Sequence, residues 1–307
     1  MRYTVNSYFE VLEKAETLMA QVQSLSSPLT LRSGRYKSYF NTVRQVDDAI
    51  KNDGIDEYLL KNNQKGEVFF ALKQLSEMSM IFEHLLPLLS TLHGDNRNNL
   101  LERFSLILDG PTYPSEETKE NNKARNYQFE LLVAARFKQS GYSDIGFFRN
   151  PDVLVHSNGR PYPIECKRIF GNSESSILKR VKEAVGQLND HPIKDSIGGV
   201  IALDMSRKYE GSSNVLESRS LQSAEDFIMS QLEQDMLMIQ RRSQAVQRAT
   251  ASRKLVAMFT NLSGVYVIPS TKQFGWVHEL AVTIFNKEYP DGAAIFMDDL
   301  KKLQSVV

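Results

Sequence analysis

The chain has 307 residues with 37 basic and 37 acidic side chains, so its formal net charge is zero. This balance argues against a strongly basic nucleic-acid coat protein, but it is compatible with a nuclease whose acidic site offsets basic patches elsewhere. The single cysteine, Cys166, excludes an intrachain disulfide and a cysteine-rich zinc site. No apolar run reaches membrane-spanning length and the first residues lack the apolar core of a signal peptide, so we expect a cytoplasmic protein with no membrane partner.

The first hundred residues predict a helical domain. Residues 5–22 form a mildly amphipathic pattern, and residues 65–86 a stronger one that Pro87 is expected to end or kink. The 3–4 spacing of a bundle seam is kept by Val68, Leu72, Leu75, Phe82, Leu86 and Leu89. The seam is typical of a bundle core, with a dimer interface as the alternative. Through this domain the protein could contact a second copy or a partner subunit.

A basic and aromatic stretch lies within this helical region. No acidic residue occurs between Thr17 and Val46, where arginine and lysine alternate with aromatic rings: Arg32, Arg35, Tyr36, Lys37, Tyr39, Phe40 and Arg44. This mixture suits phosphate contact and base stacking. The alternative is a segment whose aromatic residues pack on the bundle.

A polar, proline-containing stretch follows the helical region, GPTYPSEETKENNKAR from Gly110 to Arg125. Such composition is typical of a connector. We therefore predict a helical domain over residues 1–110, a connector over 111–125 and a second domain over 126–307.

The second domain begins with a buried helix and a β-hairpin. Apolar residues crowd together from Tyr127 to Phe137, and Gly141 ends the helix. Residues 153–155 and 162–169 have the composition of strands, and the turn residues Ser157-Asn158-Gly159 lie between them.

We expect acidic and basic side chains of this hairpin to converge at a sheet edge. Side chains alternate along a strand, so Glu165 and Lys167 share a face while Arg168 points the other way, and Asp152 begins the neighbouring strand. Mg²⁺ uses one or two protein carboxylates and binds substrate phosphate. A lysine beside such an ion can orient water or offset charge on the phosphate. The set therefore predicts phosphodiester hydrolysis.

The pattern Pro151-Asp152 followed by Glu165-Cys166-Lys167 resembles the PD-(D/E)xK nuclease superfamily. The resemblance covers roughly residues 124–205 and implies a restriction-endonuclease-like α/β fold, a mixed β-sheet flanked by helices. It also implies that Asp152 and Glu165 bind Mg²⁺, for which Mn²⁺ can substitute, that Lys167 is the catalytic lysine and that Glu130 is a further catalytic or metal-binding acid.

Other interpretations of these residues stay open. Glu165 and Lys167 could be a solvated pair on an edge strand, and Glu130 could simply pair with an arginine, because a buried carboxylate needs a cation nearby. A second ExK, Glu117-Thr118-Lys119, lies in the polar connector without a preceding PD or a strand.

The rest of the chain predicts helices, strands and basic surfaces. We expect a helix over 174–189 with Ser173 as its N-cap, a buried strand over 199–205, a long helix over 218–250, and strands over 254–259, 264–269 and 276–285. No acidic residue occurs from Met236 to His278. This region is typical of either a groove for a polyanion or a solvated face. The residues expected to contact nucleic acid are Arg168, Lys179, Arg180, Gln187, Arg241, Arg242 and Arg248.

Two functions from different classes follow. The first is a Mg²⁺-dependent endonuclease acting on DNA, which the resemblance associates with bacterial restriction or anti-phage defence. The second is a catalytically inactive protein of the same fold that binds nucleic acid or assembles with other subunits. The intact set of Asp152, Glu165 and Lys167 favours the first, since a binding-only protein needs neither both acids nor the lysine.

Overall fold

A computed structural model of the chain describes residues 8–24, 29, 31, 34–51, 65–118, 120–170, 173–190, 193, 196, 198–209, 215–241, 255–268 and 273–284. These residues form a mixed α/β structure in which helices cover both faces of one seven-stranded sheet. No helix in these ranges combines the length and apolar character needed to cross a lipid bilayer.

Among the described residues, five long helices precede the sheet. They are α1 (Tyr8–Ser24), α2 (Gly34–Lys51), α3 (Lys65–Leu85), α4 (Gly94–Leu108) and α5 (Lys123–Gln139). The seam predicted on α3 is buried inside the chain, apart from Leu89, which is partly buried against the same core. It is therefore bundle core. Helix α3 ends where Pro87 enters a short 3₁₀ turn, Leu86–Ser90.

The sheet combines antiparallel and parallel pairs. Its strands are β1 (Ile145–Phe147), β2 (Val153–Ser157), β3 (Arg160–Arg168), β4 (Gly199–Asp204), β5 (Val215–Glu217), β6 (Leu255–Ile268) and β7 (Gln273–Ile284). Strands β1, β2 and β3 are antiparallel neighbours, and β4 pairs parallel with both β3 and β6. Strand β5 also pairs parallel with β6, and β7 pairs antiparallel with it.

The hairpin predicted at residues 153–169 is confirmed. Asn158 and Gly159 form its turn with positive φ angles of 51° and 74°, which asparagine and glycine tolerate better than other residues. The two strands predicted over 254–259 and 264–269 are instead one continuous strand, β6. Residues 257–268 of β6 pair with β7, and this pairing keeps the chain extended between the two predicted strands.

After β3, the described part of the chain contains three further helices. They are α6 (Glu174–Asp190), α7 (Ser206–Tyr209) and α8 (Leu221–Arg241). Ser173 caps α6 as predicted, because its Oγ accepts a hydrogen bond from Ser176 N at 3.3 Å. The predicted continuation of α8 over residues 242–250 lies outside the described residues.

Buried apolar residues form a cluster on each face of the sheet. One face, including Ile164 and Cys166, packs against α5 and the helical bundle. The opposite face, including Ile201 and Leu203, packs against α6 and α8. The first cluster runs without interruption from α1 to β6, so the helical region and the sheet share a core. The predicted division into two domains stays a prediction.

Candidate active site

The β2–β3 hairpin brings Asp152 beside Glu165. Val153 pairs with Ile164 in antiparallel register, so the preceding residue, Asp152, lies opposite Glu165. The main-chain N–H of Cys166 donates a 2.8 Å hydrogen bond to Asp152 Oδ2. The register of the hairpin therefore fixes the position of the Asp152 carboxylate.

Lys167 lies beside both the Asp152 and the Glu165 carboxylates. Its Nζ lies 3.1 Å from Glu165 Oε2 and 3.6 Å from Asp152 Oδ2. Side chains two residues apart on β3 point the same way, which places Lys167 beside Glu165. Two carboxylates thus lie within ion-pair distance of one ammonium, as the sequence predicted.

Burial dominates the electrostatics of this group. Glu165 is fully buried, and its Oε1 has no hydrogen-bond partner. Burial, with a further contribution from the charge of Asp152, raises the pKa of Glu165 to about 7 although Lys167 opposes the shift. Burial alone lowers the pKa of Lys167, but the two carboxylates outweigh it and the net pKa is raised. Lys167 therefore stays protonated, while Glu165 ionises near neutral pH.

This shift predicts how the stability of the metal-free protein depends on pH. Because the pKa of Glu165 is higher in the folded state than its ordinary 4.5, its contribution to stability is complete below that ordinary value and is lost as pH rises through about 7. We expect the melting temperature of the wild type to fall between about pH 5 and about pH 8, and Glu165→Gln to show a smaller fall. Thermal melts in the presence of a chelator measure this, and equal slopes for both proteins would contradict it.

Glu130 lies nearby on α5 but is held by an arginine. Arg103 Nε donates a 2.8 Å hydrogen bond to Glu130 Oε2, and both side chains are buried. Burial first, and then the charge of Asp152, raises the pKa of Glu130 to about 8 against the opposing effect of Arg103. Of the two interpretations of Glu130, the structure shows the pairing with arginine.

The Asp152 and Glu165 carboxylates fit a hard divalent cation. The part of the chain that the structure describes has no group of three or more His, Cys, Asp or Glu side chains arranged to hold a metal. Metal binding by Glu130 stays a prediction. Mg²⁺ needs only one or two protein carboxylates because water and substrate phosphate supply its other ligands. The unpartnered, buried Oε1 of Glu165 is the kind of acceptor that such an ion would satisfy.

Arg168 does not face the surface, which corrects its predicted contact with nucleic acid. It lies on the opposite face of β3 from Lys167, is 6% exposed, and forms ion pairs with Glu117 at 2.7 Å and Asp204 at 3.3 Å. There it borders a polar cavity of about 30 Å³ between α3, α5 and the sheet. Arg168 is thus part of a buried charge network.

The other described residues that were predicted to contact nucleic acid lie on α6 and α8. Lys179 is exposed on α6, where Arg180 pairs with Glu183 at 2.7 Å and Gln187 is partly exposed. Arg241 is exposed at the end of α8, whereas Arg242 and Arg248 lie outside the described residues. Whether these side chains contact nucleic acid stays a prediction.

The basic and aromatic stretch before Val46 packs into the bundle. Arg35, Tyr36, Tyr39 and Phe40 are all at most 2% exposed. The Tyr36 hydroxyl pairs with Ser79 Oγ of α3 at 3.2 Å. These aromatic rings are therefore core residues and do not form a base-stacking surface.

Sequence reasoning missed Arg103 and Glu117. No local sequence pattern marks Arg103 as buried, because other polar residues of α4 face the solvent. Glu117 was assigned to a polar connector, yet its side chain is fully buried and contacts Arg125, Arg168 and Arg207. Only the folded arrangement brings these cations to it.

Comparisons of the chain with models of protein families, with curated proteins and with solved structures found no match.

Proposed function

We propose that this protein is a metal-dependent nuclease that hydrolyses phosphodiester bonds in DNA, with a fold of the restriction-endonuclease-like type. The observation that carries the proposal is the convergence of Asp152, Glu165 and Lys167 at the β2–β3 hairpin. A purely structural ion pair needs one carboxylate for one lysine. A second, buried carboxylate beside the same ammonium is costly unless a cation is to be held there.

Each residue has a chemical task in this proposal. Asp152 and Glu165 would hold Mg²⁺ or Mn²⁺, which supplies a bound water of lowered pKa and clamps the phosphodiester charge. Lys167 stays protonated because both carboxylates surround it, so its ammonium can donate a hydrogen bond to a phosphate oxygen or to the attacking water. Glu130 would be a further acid beside this pair, with its carboxylate held in place by Arg103.

The arrangement of the elements supports the same class of protein. A buried helix, α5, precedes an antiparallel hairpin, and β4 continues the sheet in parallel after the crossover helix α6. Helix α5 packs on the hairpin and contributes Glu130 beside it. This is the order of elements that the resemblance to PD-(D/E)xK nucleases implies.

The substrate and setting are part of the proposal. The described residues proposed to contact DNA are Lys179, Arg180 and Gln187 on α6 and Arg241 at the end of α8. A cytoplasmic role in bacterial restriction or anti-phage defence rests on the resemblance alone. The helical region is proposed to bind a second copy or a partner subunit.

The test is cleavage of several nucleic acids by the purified protein. Circular and linear duplex DNA, single-stranded DNA and RNA are incubated with Mg²⁺, with Mn²⁺ or with a chelator. We expect metal-dependent cutting of DNA by the wild type and by Lys14→Ala, whose exposed lysine pairs with Glu83 on the helical bundle. Lys167→Ala should reduce cutting by about 10²–10³-fold.

Two outcomes would contradict the proposal. Equal cutting by the wild type and Lys167→Ala would place the activity at another site. No cutting of any substrate by a folded protein that nevertheless binds nucleic acid would favour the binding protein over the enzyme.

A further inference from the structure

One face of α4 makes polar contacts with the segment that leads into Asp152. Asn96 Oδ1 accepts a 2.6 Å hydrogen bond from Phe147 N, and Asn99 Nδ2 donates a 3.0 Å bond to Phe147 O. Residues 96, 99 and 103 lie on one side of a helix because they are separated by three and four positions. Helix α4 therefore fixes the end of β1 through both backbone groups of Phe147.

Arg103 extends these contacts to the site. Its Nη2 donates to Phe148 O at 2.5 Å and to Asp152 O at 3.4 Å, while its Nε donates to Glu130. The guanidinium is planar and has five N–H donors in fixed directions, so one side chain can bind three acceptors at once. Arg103 is 5% exposed, which limits competition from water.

We propose that Arg103 is a positioning residue of the nuclease site: it fixes the main chain at Asp152, and so the helical region forms part of the catalytic unit. This inference rests on the proposed nuclease function. Asp152 is held from two sides, its carbonyl by Arg103 and its carboxylate by Cys166 N. Without Arg103, the segment 148–152 would lose the hydrogen bonds from Arg103 to Phe148 O and Asp152 O, and Asp152 would be held beside Glu165 by the hairpin alone.

The proposal differs from a general role in packing. Arg103 also lies over the Tyr127 ring, 5.2 Å from its centre, so its loss would affect the α4–α5 contact in any case. A packing role predicts lower thermal stability with unchanged metal dependence. A positioning role predicts weaker metal binding and slower cleavage even in a variant that stays folded.

The experiment compares Arg103→Lys and Arg103→Met with the same substitutions at Arg97. Arg97 is on the same helix and donates to Leu89 O, away from the site, so it is a matched control. Cleavage rate is measured against Mn²⁺ concentration, and amide hydrogen exchange of residues 148–153 is measured without metal. Thermal melts identify any variant that fails to fold.

We expect Arg103→Lys to stay folded, because lysine keeps the charge beside Glu130, but to need about 10–100-fold more Mn²⁺ for half-maximal cleavage. Its segment 148–153 should exchange faster than in the wild type, while the Arg97 variants should match the wild type. Wild-type exchange and metal dependence in Arg103→Lys would overturn the inference, as would an equal change in the Arg97 variants. If the wild type cleaves nothing, the proposed function fails, but the exchange measurement still supports or overturns the positioning role.

Discussion

Replacing Asp152 with asparagine is expected to reduce DNA cleavage by at least about 10²-fold, the size of effect that follows the loss of one preorganised electrostatic group. Asparagine keeps the shape of the side chain and an oxygen that can accept the hydrogen bond from Cys166 N. It removes one of the two charges that would hold the cation. The fold should therefore be retained while metal binding is weakened.

Two measurements check this prediction, namely cleavage rate at saturating Mg²⁺ or Mn²⁺ and calorimetric titration of Mn²⁺. Asp144→Asn is the control. Asp144 lies just before β1, its side chain is 70% exposed, and it pairs with His156. Equal metal affinity for the wild type and Asp152→Asn would place the cation elsewhere and remove the basis of the proposed function.

The largest expected loss of stability follows from Glu117→Gln. The buried Glu117 carboxylate accepts hydrogen bonds from Arg168 and Arg207 and lies 3.7 Å from Arg125 Nε. Removing its charge leaves guanidinium groups in the interior with less compensation. Breaking such a buried pair typically costs about 3–5 kcal/mol, so the free energy of unfolding should fall by that amount.

Chemical denaturation of the metal-free protein measures this loss. Glu116→Gln is the matched control, because the neighbouring Glu116 is exposed and accepts a local hydrogen bond from Tyr113 N at 3.0 Å. A change in unfolding free energy below about 1 kcal/mol for Glu117→Gln, the size expected of an exposed ion pair, would show that Glu117 contributes little to the buried network.

Sequence reasoning succeeded where local rules decide the structure. The turn at Asn158-Gly159 and the alternation along β3 depend on neighbouring residues, so the shared face of Glu165 and Lys167 could be predicted. Ser173 was identified as an N-cap for the same reason.

Sequence reasoning was incomplete or wrong where residues far apart in the sequence determine the structure. Arg168 was predicted as a surface contact, but Glu117 and Asp204 make its burial possible and neither is near it in the sequence. Arg103 is separated by 27 residues from Glu130 and by 49 from Asp152, and no periodic pattern links them. The length of β6 likewise depends on β7, which pairs along most of it.

The charges on β3 also select a single alignment of this strand in the sheet. A shift of one residue would exchange its two faces. Arg168 would then enter the acidic group, while Glu165 would point toward the apolar residues that pack on α5. A misaligned strand would place these charged side chains beside the wrong neighbours. The residues proposed for catalysis therefore also disfavour misfolding of β3.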